Sequence, residues 1–185
     1  MMIGYGRQYI DNDDIKAVTK VLKSNLITQG SNVKKFEKSL SKTFGSKYSS
    51  ALSSGTAALH LLGLALGWKK GDIVLTTPIS FLATSNSILY SGAKPEFVDI
   101  DKNDFNISIK LLLKKILKLK KEKKKIVAII CTDFAGHPCD WKNLKKIARK
   151  FKITLINDCC HAFGASIDKN KNCLLYTSPS PRDDE

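Results

Sequence analysis

The feature that most constrains this 185-residue chain is its switch, after about residue 45, from helical periodicity to a regular alternation of short apolar runs and longer helical stretches. Two helices come first. Asp11 to Lys23 carries Ile15, Val18 and Leu22 at helical spacing behind Asp/Asn capping residues, and Asn32 to Phe44 carries Val33, Phe36 and Leu40 and stops at Gly45. Strands are then expected at Tyr48–Leu52, Ile73–Thr76, Glu96–Ile100, Ile126–Cys131 and Ile153–Asn157. Between them lie helices at Thr56–Leu66, stopped by Gly67, at Phe81–Tyr90, ended near Gly92, within the lysine-rich stretch 110–125, and at Trp141–Phe151. Strands separated by helices of ten or more residues cannot pair as hairpins. They predict an α/β fold with a mostly parallel, doubly wound sheet and helices on both faces. In such sheets ligands bind at the carboxyl ends of the strands, beside helix N-termini.

The net charge of +14 raises the question of nucleic acid, but its distribution argues against that partner. Residues 110–125 alone carry nine lysines and one glutamate, with Leu111, Leu112, Ile116 and Leu119 among them at helical spacing. That is an amphipathic helix with a solvated basic face. Arginine, whose planar fork reads bases and phosphates, occurs only at Arg7, Arg149 and Arg182. The longest nearly apolar run, Ala57 to Trp68, contains His60 and falls short of the roughly 20 residues that span a bilayer. No signal-peptide layout opens the chain, so a cytoplasmic protein is expected. The five cysteines form no Cys-x-x-Cys pair and read as reduced, mostly buried thiols.

Three segments at expected strand ends carry chemistry. In Ser53-Ser54-Gly55-Thr56-Ala57, Gly55 permits a close turn, and the N–H groups of Thr56 and Ala57 at a helix start suit an anion; plain capping is the simpler reading of this segment alone. Neither a Walker loop nor a dinucleotide fingerprint is present, since Gly4-Tyr5-Gly6 lacks a third glycine and a following helix. In Thr76-Thr77-Pro78-Ile79-Ser80-Phe81, Pro78 imposes an extended turn that can project Phe81 as a stacking surface, or bury it as an ordinary core aromatic. In Asn157-Asp158-Cys159-Cys160-His161, an apolar strand delivers Asp158 to the crevice floor with His161 in local reach; helix capping and a surface histidine are the alternatives. Taken together, a phosphate cradle, an aromatic plate and a buried carboxylate suit pyridoxal 5'-phosphate. That cofactor needs its phosphate held, its ring stacked and its pyridine nitrogen paired with an anion.

Five blocks now stand in register. They are Ser54-Gly55-Thr56-Ala57-Ala58-Leu59-His60; Thr77-Pro78-Ile79-Ser80-Phe81 continued by Ala83-Thr84 and Asn86; Ser91-Gly92-Ala93-Lys94-Pro95 continued by Phe97-Val98-Asp99; Phe134-Ala135-Gly136-His137-Pro138-Cys139-Asp140; and Asp158-x-x-His161-Ala162-x-Gly164-Ala165. From about Ile3 to Ile167 the chain resembles the DegT-type family of pyridoxal-phosphate-dependent nucleotide-sugar aminotransferases. Leu26-Ile27-Thr28-Gln29-Gly30 and the Thr77–Phe81 block look closest to its branch serving pseudaminic acid synthesis.

The resemblance implies the large domain of fold type I transferases. It also implies transfer of an amino group from glutamate to C4 of a UDP-linked 4-keto-6-deoxy amino sugar. By the same resemblance Gly55, Thr56 and Ala57 bind the cofactor phosphate, Phe81 stacks on the ring, Asp158 pairs with the pyridinium nitrogen and His161 sits by the ring's phenolic oxygen, in a homodimer. No metal, nucleic-acid or membrane partner is implied.

The family's Ser-Phe-His-x-x-Lys-like block, whose lysine forms the Schiff base with the cofactor, is not found; Lys169 and Lys171 fall too early to fill it. Residues 173–185 resemble a translated sequencing adapter. The expected organisation is therefore an N-terminal entry segment (1–30), a partial cofactor-binding domain (31–172) and a non-native tail (173–185), without a catalytic lysine or small C-terminal domain, and hence inactive. A same-fold dehydratase with histidine in the lysine's place, and a basic nucleic-acid-binding or regulatory protein, are the rival readings.

Overall fold

The computed structural model describes residues 9–28, 30–168 and 171–172. Gly4-Tyr5-Gly6, Arg7, Gln29, Lys169, Cys173 and the tail from 173 to 185 lie outside the described residues. The chain divides into two compact units, Met1–Ala51 and Leu52–Glu185.

The first unit holds α1 (Asn12–Leu22) and α2 (Ser31–Phe44). Helix α1 starts because Asp11 caps it, accepting from the N–H groups of Asp13 and Asp14 while Asp14 accepts from Asp11 N–H in return. Helix α2 ends where Gly45 turns left-handed at φ 65°. Residues 48–52 form no strand, contrary to expectation. A strand there would need a neighbour's carbonyls and amides. Instead, the Ala51 N–H donates to Glu37 Oε1 at 2.9 Å, and Ser49 Oγ sits between Ser41 Oγ (2.9 Å) and Ser46 Oγ (3.0 Å).

The second unit carries a four-stranded, wholly parallel sheet in the order β2-β1-β3-β4: β1 (Asp72–Thr76), β2 (Lys94–Phe97), β3 (Lys125–Thr132) and β4 (Thr154–Asp158). The helices are α3 (Gly55–Ala65), α4 (Leu82–Tyr90), α5 (Ile109–Lys121) and α6 (Trp141–Phe151). Two short antiparallel strands, β5 (Ser166–Asp168) and β6 (Lys171–Asn172), follow.

Period-two alternation sorts the strand residues onto two faces. Ile73, Leu75, Ile129, Cys131 and Leu155 pack with Leu112, Ile116 and Leu119 of α5 and Trp141, Leu144, Ile147 and Ala148 of α6. Val74, Ala128, Ile130 and Ile156 pack with Ile88 of α4, Trp68 and Leu59 of α3 on the other. A sheet buried on both sides is why these strands read as continuous apolar runs. Strand β2 begins two residues before its expected start and ends at Phe97, with Pro95 inside it. As an edge strand paired only with β1, it tolerates a residue that cannot donate to a ladder. The chain runs from β1 to the β2 edge and then back across to β3. The carboxyl ends of β1, β3 and β4 therefore line up beside the switch in direction, where an α/β sheet opens its crevice. Among the described residues no helix is long and apolar enough to cross a membrane, and no cluster of metal-ligating side chains occurs.

Candidate active site

A cavity of about 240 Å³ opens at those strand ends. It is lined by Gly55, Thr56, Leu59, Phe81, Ala83, Thr132, Asp158, Cys160 and His161. Five of the six residues singled out from sequence, Gly55, Thr56, Phe81, Asp158 and His161, meet there. Ala57 is not among the lining residues. Its N–H donates to Ser54 Oγ at 3.1 Å, so Ser54 acts as the N-cap of α3 and uses the donor that an anion would otherwise engage. Thr56, one position earlier, keeps its backbone N–H clear of any acceptor among the described residues and lies on the cavity wall.

Phe81 precedes α4 with an extended backbone (φ −65°, ψ 141°), because the turn after Pro78 is closed locally: Thr77 Oγ1 accepts the Ile79 N–H at 3.0 Å. The ring is 72% exposed. An aromatic left open at a cavity mouth is unlike a core residue, and it offers a stacking face.

Asp158 is the last residue of β4 and is buried, 6% exposed. A buried carboxylate is costly unless its oxygens are bonded. Here Oδ2 accepts from Thr84 Oγ1 at 3.1 Å and Oδ1 from the Cys160 N–H at 3.3 Å. No lysine or arginine pairs with it in an ion pair among the described residues.

His161 is exposed and held edge-on to Phe134, the ring centroids 6.3 Å apart. Phe134 belongs to a tight loop fixed from two sides. Asn106 accepts the Phe134 N–H at 3.0 Å and donates to the His137 carbonyl at 3.1 Å, and buried Asp133 accepts from the Cys139 N–H (2.8 Å) and Trp141 Nε1 (3.0 Å). The loop turns through two left-handed residues, Ala135 (φ 51°) and Gly136 (φ 84°). A Cβ on Gly136 would stand 3.1 Å from the His161 carbonyl, so glycine is required both by conformation and by space.

The cysteines are free among the described residues. Cys131 and Cys139 are buried as expected, but Cys160 reaches the surface at the cavity. Its thiol is pushed up to about 11, first by its partial shelter and then by bonding to Asp158 and by that residue's charge. It is therefore a protonated, unreactive lining group at neutral pH.

Four cavity residues escaped the sequence reading. Leu59, Ala83 and Cys160 stand beside residues already singled out, and Thr132 stands at the end of β3, where strand-end logic applies equally.

Residues 8–175 match the DegT/DnrJ/EryC1/StrS aminotransferase family. The chain belongs to that family. It is 44% identical over 170 residues to the UDP-4-amino-4,6-dideoxy-N-acetyl-beta-L-altrosamine transaminase of Campylobacter jejuni, covering 92% of this chain and 44% of the relative. Its structure is similar to Helicobacter pylori PseC, an aminotransferase involved in pseudaminic acid biosynthesis, with a TM-score of 0.80 and 34% identity over 91% of this chain and 44% of that one. It is also similar to a variant of the GDP-4-keto-6-deoxymannose-3-dehydratase ColD with bound GDP-perosamine, with a TM-score of 0.76 and 33% identity over 88% of this chain and 42% of that one. The chain thus spans about 44% of the length of the C. jejuni transaminase. Its sheet is that of the family's fold type I large domain.

Proposed function

We propose that the carboxyl-end cavity binds pyridoxal 5'-phosphate, and that the whole protein is a nucleotide-sugar aminotransferase moving an amino group from glutamate to C4 of a UDP-linked 4-keto-6-deoxy amino sugar. The observation that carries the reading is the convergence, on one cavity, of a buried carboxylate, an open aromatic face and a helix start with a free N–H. These groups suit the ring nitrogen, ring plane and phosphate of that cofactor. The 44% identity to the C. jejuni transaminase supports the sugar.

When bound, the cofactor supplies an electron sink. The chain's residues supply its placement. Thr56 N–H, with the α3 dipole behind it, attracts the phosphate. Gly55 lets the backbone come close, and Ala57 shapes the same turn through Ser54. Phe81 covers the ring plane and excludes water from it. Asp158 accepts from the protonated ring nitrogen and keeps that proton in place, and His161 stands by the ring oxygen.

The leucines that α3 and α4 present outward (Leu61, Leu64, Leu82, Leu89) support a homodimer built on that face, and action in the cytoplasm goes with the nucleotide-sugar substrate. The similarity to ColD favours one second reading, dehydration of a related nucleotide sugar. The products separate them. Mass spectrometry of a reaction between the complete protein, the cofactor, glutamate and the UDP-keto-sugar is expected to show an amine in place of the ketone. Loss of a hydroxyl without added nitrogen would select the dehydratase, and no change with a cofactor-loaded protein would reject both.

A further inference from the structure

Asp158 is bonded to more than its immediate neighbours. Thr84 Oγ1 lies 2.7 Å from Ser80 Oγ, and Ser80 Oγ lies 3.0 Å from Thr132 Oγ1, so three hydroxyls run in series to the carboxylate. Distance alone leaves two of the three donors open. Proton counting closes them. A carboxylate only accepts, so the single hydroxyl proton of Thr84 goes to Asp158 Oδ2. Thr84 must then accept from Ser80, and Ser80, its proton spent, must accept from Thr132. The chain is directed: Thr132 to Ser80 to Thr84 to Asp158.

Its members come from three separate pieces of the fold. Thr132 ends β3 and is the register partner of Asp158 at the end of β4. Ser80 lies in the connection from β1, one residue before Phe81, and Thr84 lies in the first turn of α4. Thr84 and Thr132 are buried, at 1% and 5% exposure, and Ser80 is half-buried. With Oδ2 held by Thr84 and Oδ1 by the Cys160 N–H, the carboxylate is fixed at both oxygens. The Cys160 thiol bonds the same carboxylate, so one of its four lone-pair sites remains, and Asp158 lines the cavity.

We infer that Ser80, Thr84 and Thr132 are positioning residues that set the Asp158 carboxylate for the cofactor's ring nitrogen. The inference rests on the cofactor reading above. Hydrogen bonds to charged groups exceed neutral ones, and chains of them reinforce one another, so the link next to Asp158 should matter most.

The test is calorimetric titration of the 185-residue chain with two probes: pyridoxal 5'-phosphate, and its 1-deaza analogue, in which a carbon replaces the ring nitrogen. Phosphate binding and stacking are common to both; only the first can use Asp158. Thr84→Val is expected to weaken the natural cofactor about tenfold while changing the analogue less than about twofold. Ser80→Ala should act in the same direction by about threefold, and Thr84→Ser should restore the parent affinity. Melting curves without ligand establish that each variant is folded, and Ser80→Ala, on the half-buried loop, carries the test if Thr84→Val is not. Equal weakening of both probes, or unchanged affinity for the cofactor, overturns the inference and leaves the cofactor reading standing. A parent chain that binds neither probe overturns the cofactor reading and this inference with it.

Discussion

The two faces of the parallel sheet are covered by helices of different design. On one face α5 and α6 are amphipathic. Leu112, Ile116 and Leu119, and Trp141, Leu144, Ile147 and Ala148, turn inward, while Lys110, Lys114, Lys118, Lys142, Lys145, Lys146 and Lys150 stay in water. On the other face α3 and α4 bury Gly63, Ala83, Thr84, Ser87 and Ile88 yet also leave Leu61, Leu64, Leu82, Leu89 and Tyr90 exposed. The first face is mostly finished against solvent, with Leu111 and Leu117 of α5 its exposed apolar side chains. The second is apolar on its outer side as well, the pattern of a surface meant to be covered. The candidate site belongs to the second face: Gly55, Thr56 and Leu59 come from α3, and Phe81 and Ala83 flank or enter α4. The more amphipathic pair of helices thus backs the sheet on one face, and the polar machinery is assembled on the face whose helices leave more apolar surface open.

Substitutions can break or sharpen this contrast. The largest effect is expected from Leu144→Ala on the finished face, where a fully buried leucine touches the β3–β4 side of the core. Chemical denaturation should show a loss of about 2–5 kcal/mol. Gly63→Ala comes next, on the other face. A Cβ there would collide with Ser91 Oγ and stand 2.7 Å from Trp68 Cε3, so overpacking beside α3 and α4 should cost about 1–3 kcal/mol in the same assay. The cavity should lose cofactor affinity along with stability in this variant, whereas Leu144→Ala should lower stability first.

A pH-dependent effect follows from Glu96, which ties β2 to the finished face through Lys115 at 2.7 Å. Lys115 first, then Lys94, hold its carboxyl down from the usual 4.5 to about 2. The folded value is below the unfolded one. The stabilisation is therefore complete above about pH 4.5 and is lost as pH falls toward 2. Melting temperatures of Glu96→Gln should fall less steeply over that window than those of the parent chain. The smallest effect on stability, within about 0.5 kcal/mol, is expected for Leu64→Gln on the outer side of α3. If that face is a subunit contact, sedimentation should show weaker self-association in the same variant; an unchanged oligomeric state would remove the contact from this face.

Much of this was legible in the sequence. Helix α6 falls on its expected bounds, Trp141–Phe151, because Asp140 caps it, accepting the Asn143 N–H at 3.1 Å, and because its apolar stripe is sharp. Strand β2 starts earlier than expected, because its edge position, which the sequence does not record, tolerates Pro95. Residues 48–52 misled because Tyr48, Ala51 and Leu52 suggest a strand, while the bonds of Ser49 to Ser41 and Ser46 and of Ala51 to Glu37 that replace it join residues the sequence sets apart. In the cavity, residues that follow strand ends were found, since strand-end logic is local. The hydroxyl chain was not. Its links join residues 52 and 74 positions apart, Ser80 with Thr132 and Thr84 with Asp158, and no periodicity records such meetings.

The central claim is that one cavity seats the cofactor with its nitrogen on Asp158 and its phosphate at the start of α3. A crystal structure of the chain with pyridoxal 5'-phosphate tests it most directly. The predicted result places the ring nitrogen about 3 Å from Asp158, the ring against Phe81 and the phosphate on the Thr56 N–H. A cofactor seated elsewhere, or turned so that its phosphate faces the Phe134–Gly136 loop, would contradict it.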